Sequence, residues 1–153
     1  MAILDSMSQF SWQQACFASS ADVVSTNLID LAPQLVANAA ATPDEFRGED
    51  FEIEVVLTSA VTGGTSVAFI LQTDTNTNFA TALQEFPMSA AIPVASLVAG
   101  YKLSFSIPNS GCKRYLRVVY RNVGANTTGA ADAYVAKDVQ NNFPQAGSGY
   151  FVG

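Results

Sequence analysis

Alternation of apolar and polar residues is the clearest pattern along the chain. In FEIEVVLTSA (51–60) one side carries Phe51, Ile53, Val55 and Leu57, and the other carries Glu52, Glu54, Val56 and Thr58. This period of two predicts a half-buried β-strand with a solvated outer side. The apolar VAFILQT follows the turn residues VTGGTS, a sequence that predicts the second arm of a hairpin.

Further along the chain the same alternation returns. In YKLSFSI (101–107) it places Tyr101, Leu103, Phe105 and Ile107 inward, before Pro108 ends the strand. KRYLRVVYRN and DAYVAKDV predict two more strands, joined by the polar turn VGANTTGA. Only the Ala-rich part of LAPQLVANAAATPDEF and the short VASLVAG favour helix. We therefore predict an all-β fold, an antiparallel β-sandwich of jelly-roll type with short helical excursions.

The length of 153 residues fits a single domain, 1–153. Residues 1–22 and the Gly-rich 140–153 are predicted to be arms that extend beyond the core. MAILDSMSQFSW lacks a basic start and a long apolar run, so we expect synthesis in the cytoplasm. The most apolar later stretch, SAAIPVASLVAGY, is too short to cross a bilayer, and no membrane role is expected.

Charge and composition narrow the classes of function. Thirteen acidic against seven basic residues give a net charge of −6, which repels phosphate and argues against a nucleic-acid partner. The chain has no histidine, which removes the usual general base and the commonest metal ligand. TPDEFRGEDFEIE holds six of the acids, but a solvated acidic face explains it better than a catalytic carboxylate pair. We expect no enzyme, no cofactor and two free, buried thiols, Cys16 and Cys112.

One motif matches the pattern of a calcium-binding loop only in part. In DTNTNFATALQE, Asp74, Asn76, Asn78 and Glu85 occupy positions 1, 3, 5 and 12 of a calcium loop. Position 6 requires glycine and is Phe79, and a predicted strand precedes the motif where a helix is required. Asx and Thr side chains also bind their own backbone in turns, so we predict a turn and no metal.

The basic residues are concentrated in GCKRYLRVVYRNVG (111–124), which holds four of the seven. Alternation places Leu116, Val118 and Tyr120 on one face and Tyr115, Arg117, Val119 and Arg121 on the other. One interpretation pairs these arginines with acids on neighbouring strands, such as Glu52 and Glu54. The other makes Tyr115, Arg117 and Arg121 a protein-binding face. The two interpretations are compatible.

Several segments, in this order, resemble one known family. STNLIDL, VAFILQTDTNTNFA, AAIPVASLVAGYKLSFSIP and KRYLRVVYRNVGANTTGAADAYVAKDVQ are similar to the jelly-roll capsid cement, or decoration, proteins of tailed bacteriophages. The resemblance covers residues 10–139. Residues 32–50 depart from it as a loop insertion relative to shorter members.

The resemblance implies a non-enzymatic structural protein of the virion. Such a protein binds the exterior of the expanded capsid and bridges subunits of the major capsid protein, as a homo-oligomer, dimer or trimer. On this basis the candidate interface residues are Phe10, Trp12, Tyr115, Arg117, Arg121, Tyr150 and Phe151. The alternative is a carbohydrate-binding jelly-roll module, which requires exposed aromatic platforms that one Trp and mostly inward Phe and Tyr residues poorly supply.

Overall fold

The strands of the fold are seen in a computed structural model that describes residues 8–31, 51–108 and 111–137. In chain order they are β1 (Gln9–Gln14), β2 (Val23–Val24), β3 (Ile29–Asp30), β4 (Phe51–Gly63), β5 (Ser66–Asp74), β6 (Gln84–Pro87), β7 (Ile92–Pro93), β8 (Lys102–Ser106), β9 (Tyr115–Val123) and β10 (Asn126–Lys137). A 3-10 helix at Val94–Ser96 lies in the segment VASLVAG, where helix was predicted. The predicted all-β class is confirmed.

The strands form two antiparallel sheets with jelly-roll connections. One sheet has the order β1-β10-β4-β8, and the other has the order β2-β9-β5-β6. Since β9 already pairs with β5, the short strands β2 and β3 must follow one another along its other side. By the same reasoning β6 and β7 follow one another along β5. With each of these pairs counted as one strand, eight strands form two four-stranded sheets, and the predicted jelly-roll sandwich is confirmed.

The predicted hairpin between the two strands on either side of VTGGTS is wrong. β4 pairs with β8 and β10, whereas β5 pairs with β9, β6 and β7, so the turn after Gly63 carries the chain from one sheet to the other. Both strands have an apolar side, and crossing the core lets these sides face each other. Gly63 and Gly64 adopt positive φ angles, 74° and 55°, which glycine tolerates without steric cost.

The core between the sheets contains three aromatic rings together with predicted inward residues of β4 and β9, namely Ile53, Val55, Leu57, Leu116 and Val118. Phe17, Phe69 and Tyr120 are fully buried and pack edge to face, with centroids 5.4 to 6.1 Å apart. The Tyr120 hydroxyl donates a 2.9 Å hydrogen bond to Ser11 Oγ on β1, so it links strands of the two sheets. Burial is the main cause that raises the pKa of Tyr120 above its ordinary value and keeps the hydroxyl a donor.

Glu54 corrects the prediction of a solvated acidic face on β4. It lies on the outer side of the strand, but only 6% of its surface is exposed. Tyr134 of β10 and Ser104 of β8 are its neighbours in register, and Lys102 Nζ lies 3.3 Å from its carboxylate. A central strand has neighbours on both sides, and these cover a side chain that alternation alone predicts to be exposed.

The predicted N-terminal arm is, over part of its length, a strand of the sandwich. Residues Gln9–Gln14 form β1 at the edge of the first sheet, and Phe10 is fully buried in the core. The rest of that arm before residue 8, the insertion at 32–50 and the arm at 140–153 lie outside the described residues. None of the helices in the described ranges has the length and apolar character needed to cross a membrane.

At one end of the sandwich, the turns β4–β5 and β9–β10 are joined. Gly64 N donates to Ala125 O at 2.9 Å, and Thr65 N donates to Val123 O at 2.8 Å. A Cβ built on Gly64 would stand 1.6 Å from Asn126 Oδ1. Asn126 is itself buried and donates to Asn122 Oδ1, so it has little room to move. This end is closed by backbone hydrogen bonds, and the Asn126 side chain fills the space that a Cβ at position 64 would need.

We expect Gly64→Ala to destabilise the protein by roughly 3 kcal/mol or more, since a left-handed backbone and an overpacked contact add together. Gly100→Ala is the matched control, because Gly100 also has positive φ but has no atom within 4 Å of a built Cβ. Its backbone cost alone is about 1–2 kcal/mol. Urea unfolding of both variants measures the difference. Equal losses would show that the two turns do not constrain each other.

Candidate partner-binding surface

The outer face of the second sheet is organised by β9. Its alternate residues Tyr115, Arg117 and Arg121 lie on this face, as predicted, and are half-buried. Leu116, Val118 and Tyr120 are buried in the core. β9 is flanked by β5 on one side and by β2 and β3 on the other. Its outward side chains therefore reach segments on both sides of it.

Arg121 pairs with acids, but not with the two predicted ones. Its Nε donates to Asp22 Oδ2 at 2.9 Å and its Nη2 to Glu85 Oε1 at 3.2 Å. Glu52 and Glu54 belong to β4 in the other sheet, so the suggested pairing of the β9 arginines with them is wrong. The kind of interaction was predicted correctly and the partners were not, because strand order cannot be read from alternation.

Arg117 is the most enclosed of the arginines on this face. Its Nε donates to Gln72 Oε1 at 2.7 Å, and its guanidinium lies 4.1 Å from the ring centroid of Phe79, in cation–π geometry. Gln72 in turn donates from Nε2 to Glu85 Oε1 at 2.6 Å, so a polar row runs from β9 across β5 to β6. Burial lowers the pKa of Arg117. The bond from Gln72, followed by the Arg121 charge, lowers the pKa of the Glu85 carboxyl.

The other two basic residues of the stretch also have internal partners. Arg114 holds Asp30 with two parallel hydrogen bonds of 2.9 Å, and its guanidinium lies 4.9 Å from the ring centroid of Tyr115. Lys113 Nζ donates to the carbonyl of Ala82. Each basic residue from 113 to 121 thus attaches a peripheral segment to β9. This accounts for the concentration of positive charge, with or without a partner protein.

The calcium-like motif forms a loop organised by Asp74. This residue is fully buried, and its carboxylate accepts hydrogen bonds from the backbone N–H groups of Asn76, Thr81 and Ala82. Glu85 lies on β6 and is occupied by Gln72 and Arg121. Among the described residues, no group of three His, Cys, Asp or Glu residues is placed to hold a metal ion. The Asx chemistry of the motif serves the loop that carries Phe79, as predicted for a turn.

Comparison with known families gives the chain its affiliation. The family model of Bbp16 matches residues 10–135, from the start of β1 almost to the end of β10. The chain belongs to the Bbp16 family. Bbp16 is a phage-related family, so the predicted relationship to phage proteins is confirmed. No curated protein matches this Bbp16-family chain.

The predicted interface residues of this Bbp16-family protein fall into four groups. Trp12 is 58% exposed and available to a partner, and Tyr115, Arg117 and Arg121 are half-exposed but engaged with internal neighbours. Phe10 is a core residue, and its side chain is not available in the folded chain. Tyr150 and Phe151 lie outside the described residues.

The predicted set omitted the apolar residues Val24 and Leu28, which are 43% and 40% exposed. They carry no sequence signal, because valine and leucine are usually buried in strands.

We expect Asp74→Asn to lower the stability of this protein at pH 7, since the amide cannot accept as many strong bonds from the three backbone N–H groups. Burial opposes ionisation of Asp74, but these hydrogen bonds outweigh it and lower the pKa below the ordinary value. The stability due to ionised Asp74 is therefore present above about pH 4, the unfolded-state pKa, and is lost as pH falls through the lower folded-state pKa.

Thermal unfolding of wild type and Asp74→Asn between pH 7 and pH 2 tests this expectation. The two curves should converge as the pH falls, because protonation removes the advantage of the wild type. Glu52→Gln makes the same change in net charge on the other sheet and separates the local effect from the general one. Equal stability of wild type and Asp74→Asn at pH 7 would rule out a role of the carboxylate in holding the loop.

Proposed function

We propose that this chain is a non-enzymatic structural protein of a phage virion, which binds the outer surface of the expanded capsid and cements neighbouring subunits of the major capsid protein. Membership of the phage-related Bbp16 family carries the proposal. The jelly-roll sandwich agrees with it, because the sequence resemblance that implies a cement role also implies this fold. The proposal includes a homo-oligomer, a dimer or trimer, on the capsid exterior.

The layout of the strands supports the proposal by bringing the described residues that border the undescribed segments to one end of the sandwich. Gln9 pairs with Tyr134 and Phe51 pairs with Lys137, so residues 1–7 and 138–153 and one end of 32–50 attach there. β9 and β10 are joined by a tight turn at the opposite end. Asp30, which pairs with Tyr115 at the start of β9, is therefore also at the first end. The described residues that border the three segments therefore lie at the same end of the sandwich.

The mechanism of a cement protein is thermodynamic. A protein that binds only the assembled, expanded shell shifts the equilibrium away from disassembly by mass action. Contacts with two neighbouring subunits act together, because the first contact raises the effective concentration for the second. Modest affinity at each contact then suffices.

Carbohydrate binding is the second candidate, and one observation favours it. Trp12 is an exposed aromatic side chain, and jelly rolls that bind sugars use such rings as stacking platforms. The half-buried tyrosines Tyr101, Tyr115 and Tyr134 offer less ring surface. Binding to a glycan array, with no association with capsids, would favour this candidate.

We expect the purified protein to co-sediment saturably with expanded heads that lack it, and not with unexpanded shells. The expanded shell alone should present the complete binding surface. Adding the purified protein should also raise the temperature at which the expanded heads disassemble, because a ligand of the assembled state stabilises that state. Failure to bind either form of the shell would contradict the proposed function. Equal binding to both forms would contradict the requirement for expansion.

A further inference from the structure

The outer face of the first sheet carries two carboxylates that no described cation neutralises. Glu52 of β4 and Asp132 of β10 lie at strand positions that alternate with buried core residues, and both are partly exposed. Neither forms an ion pair with any other residue in the described ranges. Glu54, the third carboxylate of this face, has Lys102 Nζ at 3.3 Å. Three negative charges on this face therefore meet one positive charge.

The outer face of the second sheet differs, because its carboxylates are paired. Asp22 and Glu85 both bind Arg121, and Asp30 binds Arg114. The exposed negative charge that remains without a cationic partner among the described residues is therefore concentrated on the first sheet. This asymmetry makes the first sheet the face that attracts a positively charged partner.

Trp12 adds an exposed aromatic ring to the same face. The side chain is 58% exposed. Irregular pairing of β1 between Ser11 and Gln14 leaves Trp12 and Gln13 together opposite Asp132. The Asp132 carboxylate accepts a hydrogen bond from Gln13 N, which holds it beside the strand that carries the indole. A carboxylate and the face of an indole ring both attract a cation, and here they adjoin.

Tyr134 continues this surface across the sheet. It lies on the outer side of β10, two positions from Asp132 and opposite Glu54 in the register, so Glu52 is its diagonal neighbour on β4. Burial raises the pKa of Tyr134 to about 12, and the charges of Glu54 and Asp132 add to the shift. The carboxylates of both strands thus act on one region of the surface. We call the surface formed by Trp12, Asp132, Tyr134 and Glu52 the Asp132 face.

The register sets the spacing of the two unpaired carboxylates. Asp132 pairs with Val56 and Glu52 pairs with Ala136, so the carboxylates are four positions apart along the strands. This separation is about 13 Å. In an extended chain the side chains at positions i and i+4 lie on one side at the same spacing. An extended segment with two basic residues at these positions can therefore reach both carboxylates.

We propose that the Asp132 face binds a segment of the major capsid protein that carries lysine or arginine, with one cation against Trp12 and Asp132 and a second at Glu52. This inference rests on the proposed function and deepens it. Charge complementarity favours a basic occupant, because an apolar one would remove water from two unpaired carboxylates without replacing it. The exposed ion pairs orient the partner, and Trp12 makes the contact that excludes water.

The test compares variants of the full-length protein in co-sedimentation with expanded heads that lack it, at low and high salt. Asp132→Asn and Glu52→Gln remove charge and keep shape, and Asn retains an oxygen to accept the bond from Gln13. Each should raise the half-saturating concentration at low salt roughly threefold, and the double variant roughly tenfold. The double variant should also lose most of the salt dependence, because screening acts on the ion pairs. Trp12→Ala should weaken binding roughly tenfold and retain the salt dependence.

Asp22→Asn is the matched control for each single charge variant. It makes the same change in net charge on the outer face of the second sheet and leaves Arg121 its bond to Glu85. Its binding should equal that of the wild type. Circular dichroism and the thermal midpoint check that each variant is folded.

The outcomes separate this inference from the proposed function. Wild-type affinity and salt dependence of the double variant overturn the inference and leave the proposed function intact. A larger loss with Asp22→Asn than with Asp132→Asn also overturns it, since the contact would then lie on the second sheet. No binding by the wild-type protein overturns the proposed function, and this inference with it.

The charge of the Asp132 face is measured separately in the free protein. Trp12 is the sole tryptophan, so its emission reports on this face. Compared with N-acetyltryptophanamide, it should be protected from iodide more than from caesium ions. The double variant should reduce this difference, whereas Asp22→Asn should keep it. Equal protection from both ions in the wild type would overturn the charge assigned to the face.

Other occupants of the Asp132 face give different results. Sedimentation velocity that shows self-association abolished by Asp132→Asn would identify a second copy of the chain. Glycan binding that Trp12→Ala abolishes would identify a sugar. Either result, with head binding unchanged in the same variant, would overturn the basic capsid segment as the occupant.

Discussion

The structure depends on β9, because its side chains organise both faces of the second sheet. On its inner side Leu116, Val118 and Tyr120 fill the core, and the Tyr120 hydroxyl reaches Ser11 in the opposite sheet. On its outer side the arginines hold the segments that lie beside the sheet. An exposed ion pair contributes little by itself, about 0–1 kcal/mol. The arginines contact several partners, including a cross-strand glutamine and an aromatic ring. Their main contribution is therefore to fix the position of loops, and they add little stability.

Alternation of side chains allowed the inward residues of β4, β8 and β9 to be predicted, because a strand has only two faces and one of them must lose its water. The same pattern could not show which strands are neighbours. β4 and β5 look like a hairpin in sequence, and only the pairing of each with other strands shows that the turn crosses between sheets. Glu54 shows the same limit at the level of one residue: its side of the strand was predictable, whereas its burial depends on Tyr134 and Ser104, which come from distant parts of the chain.

The candidate surface was predictable in its residue types and not in its geometry. Asp22 and Glu85 are 99 and 36 positions from Arg121, and no local pattern connects them. Phe10 and Trp12 are two positions apart, so a regular strand would place both on the same face. Irregular pairing between Gln9 and Ser11, and again between Ser11 and Gln14, breaks this rule, and as a result Phe10 is buried and Trp12 is exposed. A bulge of this kind changes which residues meet a partner without changing the composition of the strand.

The same irregularity protects an edge strand that is rich in apolar and amide side chains. A long, flat edge without charge invites pairing with any other strand, and β1 (QFSWQQ) has neither charge nor proline to prevent it. Two features reduce the backbone of β1 that is available for such pairing. The strand has bulges, and the segment from Val24 to Asn27 forms hydrogen bonds with the Phe10 carbonyl and the Gln14 side chain. What remains exposed is mainly side chain, and side-chain contacts select a partner by shape and polarity, whereas backbone pairing does not. An edge protected in this way can keep a tryptophan exposed without offering a long stretch of backbone to another strand.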